Sequence, residues 1–238
     1  MHNEMITNIL AFGAHPDDVE IGAGGILAKH TSAGYRAAIC DLTAAELSSN
    51  GNPILRQQEA EQASHLLGLH TRINLGIADR AIGNHHSEDV AAVIRRLRPE
   101  IVLLPFGSDR HPDHVAAHHL IQAALFDAGI GKKEIGGLPP HRVNKVYCYF
   151  INQIAEPDII VDISDVYEKK TKAIHAYQSQ FFRGTEEVAT PLNQGTYLQM
   201  IQGRDQLWGH QIGVSYGEGL ATLRPLAMPW LLDQKRGG

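Results

Sequence analysis

The stretch Ile9-Leu-Ala-Phe12, followed at once by Gly13-Ala-His15-Pro-Asp17-Asp18, decides the fold. A short apolar run that ends at glycine reads as a buried strand. Val19 to Ser32 then reads as a helix, with Ile21, Leu27 and Ala28 on one side. The same alternation recurs downstream. Strands are predicted at Ala37-Ala-Ile-Cys40, Arg72-Ile-Asn-Leu75 and Ile101-Val-Leu-Leu104. Helices are predicted at Ile54 to Leu67, stopped by Gly68, at Glu88 to Leu97, and at Pro112 to Ala128. Strand–helix alternation implies an α/β fold, a Rossmann-like, mostly parallel sheet with helices on both faces. The second half is less regular. Lys145 to Phe150 and Asp158 to Val161 read as strands, Tyr167 to Tyr177 and Thr196 to Leu207 as helices. This half is expected to complete the ligand pocket within one domain spanning 1–238.

The chain has 238 residues, 43% of them hydrophobic and 20% charged, with a net charge of −5. That describes a globule with a real core. The acidic balance argues against a nucleic-acid partner, which would call for a basic surplus. No apolar run approaches a membrane span, so no membrane partner is expected. Cys40 and Cys148 are too few for a disulfide scaffold and fit a reducing compartment. The N-terminal residues show no basic region followed by an apolar one, so no secretion signal is expected. A cytoplasmic location follows from both. One count stands apart: 14 His against 7 Tyr and 6 Phe.

In open α/β sheets, ligands bind beyond the carboxyl ends of the strands. The first predicted strand is followed by His15-Pro-Asp17-Asp18 and the fourth by Asp109-Arg110-His111-Pro-Asp113-His114. Taken alone, each segment reads as a turn that starts a helix. Two such segments at one edge of one sheet point to a metal site. Two imidazoles and one carboxylate with open positions suit catalytic Zn²⁺ or Fe²⁺. His15, Asp18 and His114 can supply that set. Asp17 is then spare, and can accept a proton from a water at the site.

The residues also carry a resemblance. His15-Pro-Asp17-Asp18, followed by Glu20-Ile-Gly22 and Gly24-Gly25, with His111-Pro-Asp113-His114 downstream, resembles the PIG-L/LmbE family of zinc-dependent N-acetylglucosaminyl deacetylases. Leu47-Ser-Ser-Asn-Gly51, Asp162-Ile-Ser164, Tyr177-Gln-Ser-Gln180 and Gly213 to Gly219 are similar to its bacillithiol-biosynthesis branch. The resemblance implies deacetylation of N-acetylglucosaminyl malate, a small-molecule substrate, to glucosaminyl malate and acetate. A deacetylase or amidase on another glucosaminyl compound, such as a bacillithiol conjugate, is the competing enzyme. A metal-containing sugar-binding module is the non-catalytic alternative. The resemblance further implies His15, Asp18 and His114 as metal ligands and Asp17 as general base. His111 would donate to the oxyanion, with Asp113 keeping it charged, and Tyr197 is a mobile donor that reaches the same oxygen. Arg56 and Arg110 are carboxylate or sugar ligands, Asp79 accepts sugar hydroxyls, and Ser48, Ser49 and Asn50 line the pocket or shape the turn that ends at Gly51. A homo-oligomer, a hexamer in this family, is implied as well.

Two motifs are decoys. Gly22-Ala-Gly24-Gly25 lacks the third glycine of a dinucleotide loop, since Leu27 stands there, and it falls inside a helix. Close helix–sheet packing is its expected use. Gly213-Val-Ser215-Tyr-Gly217 matches a serine-hydrolase elbow, but no histidine follows the serine.

Overall fold

The structure is a computed structural model and describes residues 7–184 and 188–227. Five parallel strands form its first part: β1 (Ile9–Gly13), β2 (Ala37–Thr43), β3 (Thr71–Ile77), β4 (Ile101–Pro105) and β5 (Lys145–Tyr149). Helices α1 (Asp18–Ser32), α2 (Pro53–Leu67), α3 (Ser87–Leu97) and α4 (Pro112–Ala128) connect the first four strands and leave the last of them. The rest adds β6 (Ile159–Asp162), α5 (Tyr167–His175), α6 (Gln178–Phe181), α7 (Thr196–Gln211) and β7 (Gly217–Thr222). The sheet order is β3-β2-β1-β4-β5-β7-β6. The order therefore reverses between β1 and β4, which opens a crevice at their carboxyl ends.

The apolar runs behave as central parallel strands should. All residues of β1 and β2 are buried. One face of the sheet packs α1, α2 and α5 through residues such as Ile26, Leu27, Ile39 and Ile174. The other packs α3 and α4 through Phe12, Val90, Ile94 and Leu120. The expected strands and helices are all present, with ends that shift by a few residues. The unforeseen element is β7. Its sequence Gly217-Glu-Gly-Leu-Ala-Thr222 lacks the β-branched run that marks a strand. It nonetheless inserts antiparallel between β5 and β6.

The glycines of α1 do serve close packing. A Cβ at Gly22 would stand 2.2 Å from the Tyr149 ring, and one at Gly25 would stand 2.7 Å from Ile163. That approach places α1 directly against the ends of β5 and β6.

A buried ionic cluster ties the late elements to α1. Lys170 Nζ donates to Asp205 Oδ2 at 2.5 Å and pairs with Glu218 Oε1 at 2.8 Å. Glu218 also accepts the Gly25 and Ile26 backbone N–H groups at 2.8 and 2.6 Å. Arg204 donates to Asp205 Oδ1 and to the carbonyls of Ile21, Phe150 and Ile151. These four charged side chains are all but fully buried. None of their polar atoms is left without a partner among the described residues.

Candidate active site

The turn after β1 is built around a strained residue. Asp17 is the N-cap of α1 with φ +116°, a left-handed conformation that L side chains rarely adopt. The turn is closed by Asp18 N–H to His15 O at 3.3 Å and by His15 N–H to Asp18 Oδ2 at 2.9 Å. An Asp at an N-cap ordinarily accepts from the helix's first N–H groups. Asp17 makes no such bond. Its carboxylate instead faces Arg56 Nη2 at 3.3 Å, and that arginine also donates to the Pro16 carbonyl. Burial pushes Asp17 up to about 7, against the pull of Arg56.

The second segment starts α4. His111 is its N-cap, with Pro112 at the first helical position. His111 Nδ1 accepts the Asp113 backbone N–H at 3.2 Å, so the proton of the neutral ring sits on Nε2. Burial moves His111 below its ordinary value. The Asp113 side chain is committed elsewhere. It accepts from Arg80 N–H at 3.0 Å and Arg80 Nη1 at 2.9 Å, and lies 3.5 Å from His15 Nε2. Asp113 thus turns its backbone N–H to His111 and its carboxylate to His15 and Arg80, and acts on His111 only through space, where its charge favours the protonated ring against burial.

The two segments meet across the crevice. His15 Nδ1 is 3.6 Å from Asp18 Oδ2, and His114 Nε2 is 3.1 Å from Asp18 Oδ1. Ligands at 2.0–2.1 Å in a tetrahedral shell are separated by about 3.3 Å. The Asp18–His114 separation matches that value and the His15–Asp18 separation is slightly longer, with one Asp18 oxygen turned to each histidine. Among the described residues, the groups whose ligand atoms converge closely enough for one ion are His15, His111 and His114, and His15, Asp79 and Asp113. The far nitrogen of each histidine faces a carboxylate: His114 Nδ1 is 3.0 Å from Asp109 Oδ1, and His15 Nε2 is 3.5 Å from Asp79 Oδ1. Such outer partners fix the tautomer that a metal ligand needs.

The electrostatics point the same way. Burial disfavours charge on His15 and His114, yet the surrounding carboxylates outweigh it. His15 is raised well above its ordinary value and His114 to about 9. Burial would raise Asp18 too, but the two histidines hold it well below the carboxylate range. Burial opposes charge on Asp79 as well, yet the nearby His15 and the hydrogen bond from the Leu47 N–H lower it to about 2. Five aspartates draw positive charge into this cluster, and a cation answers the same demand as protons on two histidines. Asp79 Oδ1, Glu20 Oε2, Arg56 Nε and Nη1 and His114 Nδ1 are buried with no hydrogen-bond partner among the described residues, the last lying 3.0 Å from Asp109 Oδ1 as an ion pair. The donor set thus fits a divalent metal.

Around the cluster lies a cavity of about 260 Å³. Arg56, Arg80, Arg110, Asn152 and Tyr197 contribute polar groups to its wall, and Ile21, Leu47, Ile151 and Leu192 apolar ones. Arg56, on α2, is buried in this wall against Asp17. Asp79 accepts from Leu47 N–H at 2.9 Å and stands in the wall beside His15. Tyr197 is buried, and its hydroxyl donates to Asn152 Oδ1 at 3.1 Å. Ser49 and Asn50 are corrections. Ser49 is exposed, and neighbouring Ser48 lines the cavity instead. Asn50 exchanges two hydrogen bonds with the Val188 backbone and so anchors the loop that brings Leu192 to the site. Asp109, Arg80 and Asn152 received no role from the sequence. The Asp109-Arg110 pair lay in the motif, but Arg80 and Asn152 carry no sequence signal, because only the tertiary fold brings them there.

The family model described as GlcNAc-PI de-N-acetylase (PIG-L) matches residues 10–125, which contain both segments. A diacetylchitobiose deacetylase from Thermococcus kodakarensis is 30% identical over 231 residues, 90% of this chain and 82% of the relative. A probable N-acetyl-α-D-glucosaminyl L-malate deacetylase from Bacillus subtilis is 23% identical over 196 residues, 74% of this chain and 84% of the relative. Among solved structures, a conserved protein from Thermus thermophilus superposes with a TM-score of 0.83 at 35% identity, covering 94% of this chain and 99% of that one. With the paired segments on β1 and β4 and a relative of this identity along most of its length, the chain belongs to the PIG-L family.

Proposed function

We propose that this protein is a divalent-metal-dependent deacetylase of an N-acetylglucosaminyl small molecule, with N-acetylglucosaminyl malate as its substrate. The observation that carries the reading is Asp17. Its carboxylate is buried, forgoes the capping bond its position offers, and is held near neutrality beside the His15, Asp18 and His114 cluster. A carboxylate that forgoes its capping bond beside the cluster is free to accept a proton in general acid–base catalysis.

His15, Asp18 and His114 would hold the ion, and Zn²⁺ or Fe²⁺ suits the set. When bound, such an ion polarises the acetamide carbonyl and acidifies a water toward a pKa of about 7. Asp17 takes the proton from that water as it attacks. His111 Nε2–H would donate to the oxygen that gains charge, while Tyr197, whose hydroxyl donates to Asn152 Oδ1, stands in the cavity wall. Asp17 then returns the proton to the nitrogen as the C–N bond breaks, releasing the amine and acetate. Arg110 and Arg80 supply positive charge at the wall, where carboxylates of an aglycone are matched by guanidinium groups. The cavity volume lies just under the range of drug-sized ligands, about 300–1,000 Å³, which suits a sugar with a small appendage.

A neutral disaccharide is the second reading, favoured by the Thermococcus kodakarensis relative named for diacetylchitobiose. Acetate release decides. Protein stripped by chelator and reloaded with Zn²⁺ is offered N-acetylglucosaminyl malate and diacetylchitobiose separately. Metal-dependent release from the malate compound is expected. Release from the disaccharide alone would move the substrate to chitooligosaccharides. Tight sugar binding with no release from either would make this a binding module.

A further inference from the structure

Asn152 lies just past β5, beside the two carbonyls that Arg204 holds. It joins two halves of the site. Its backbone N–H donates to Asp109 Oδ2 at 3.0 Å and its Nδ2 donates to Asp109 Oδ1 at 2.9 Å. Its Oδ1 accepts from Tyr197 Oη at 3.1 Å and from Arg110 Nη2 at 3.3 Å. The amide orientation is forced by its neighbours. A guanidinium only donates, and an ionised carboxylate only accepts. Asp109 in turn accepts the His111 backbone N–H at 2.8 Å and stands 3.0 Å from His114 Nδ1.

We infer that Asn152 is a positioning residue that couples the substrate-facing pair Arg110 and Tyr197 to His114 through Asp109. The inference rests on the deacetylase reading above. A side chain of this length must accept at one end and donate at the other. Asparagine does both, whereas aspartate of the same shape accepts at both ends. Arg110 and Tyr197 share one acceptor oxygen. A substrate anion that draws Arg110 away leaves that oxygen to Tyr197 alone, and the Tyr197 hydroxyl becomes better held as the pocket fills. At the other end, the Asn152 amide keeps Asp109 aimed at His114 Nδ1, which presents His114 Nε2 to the ion.

The two ends can be tested apart. Asn152→Asp keeps an acceptor for Tyr197 and Arg110 but sets a second carboxylate against Asp109. Zn²⁺ affinity is measured by competition with a chromophoric chelator, alongside thermal unfolding of the stripped protein. Asn152→Asp and Asp109→Asn should each weaken Zn²⁺ binding about tenfold, and Tyr197→Phe by less than about twofold. The losses of kcat/KM in Asn152→Ala and Tyr197→Phe should be markedly less than additive when combined. A merely structural Asn152 would lower the Tm of the stripped protein and leave Zn²⁺ affinity unchanged, and that result overturns the inference. So does full additivity with Tyr197. Should Asn152→Asp not fold, Asn152→Ala carries the same chelator readout. Parent protein that turns over neither acetylated substrate would remove the deacetylase reading, while the Zn²⁺ measurement would still decide on Asn152.

Discussion

The cluster of Lys170, Arg204, Asp205 and Glu218 and the cluster of His15, Asp17, Asp18 and His114 are both buried, yet only the first is closed. In the first, each charge has an opposite charge and each remaining polar atom a backbone partner. In the second, burial pushes Asp17 up to about 7, and the surrounding carboxylates raise both histidines against their burial. Buried charge is tolerable when it is paired and hydrogen-bonded, and is otherwise driven toward neutrality. A closed cluster therefore holds elements together, and an open one awaits a ligand. The two are physically joined. Arg204 holds the carbonyls of Ile21 and Ile151, and both residues line the cavity.

The contrast can be broken by experiment. Chelation should have the largest effect. Acetate release should fall to background and return on adding Zn²⁺, and the thermal midpoint should fall as the bound ion is removed. Retained activity in metal-free protein, confirmed by elemental analysis, would show that the open cluster needs no cation.

Asp17→Asn comes next. Turnover should drop on the order of 10³-fold, the middle of the range for a general base. Metal content should be unchanged and the Tm equal to or above the parent's, since the substitution relieves a strained carboxylate. A stability loss with normal turnover would reverse the roles assigned to the two clusters.

Lys170→Met should do the opposite. Removing one partner of a buried ionic cluster costs about 3–5 kcal/mol. Urea unfolding should show that loss, while protein that remains folded keeps its kcat. The smallest effect belongs to the rim. Arg110→Met should raise KM for the malate compound about tenfold, the loss of one charge-assisted bond, and change KM for diacetylchitobiose less. Equal changes for both substrates would detach Arg110 from anion recognition and favour a sugar contact.

How much was legible follows from the kind of signal each part left. The β1–α1 and β4–α4 turns were readable because each packs His, Pro and Asp into a few residues after an apolar run. The parallel half of the sheet was readable for a related reason, since strands buried on both faces are continuous in hydrophobicity. The strand β7 was not, because what holds it is pairing with neighbours on both sides and the buried ion pair of its Glu218, not an apolar β-branched run. Ser49 and Asn50 were misplaced because a one-residue change in a loop decides which side chain faces the cavity.

By itself the sequence determined the fold class and the edge of the sheet at which His15, Asp17, Asp18, His111 and His114 gather. These are local properties: periodicity along the chain, and polar groups at fixed offsets from a strand end. Only the tertiary structure decided that the Asp113 carboxylate faces His15 and Arg80, that Arg56 is buried against Asp17, and that Arg80 and Asn152 line the cavity at all. Those facts depend on distances between residues 33 or more positions apart in the chain. The close approach of helices to sheet fixes such distances, and no local pattern records them.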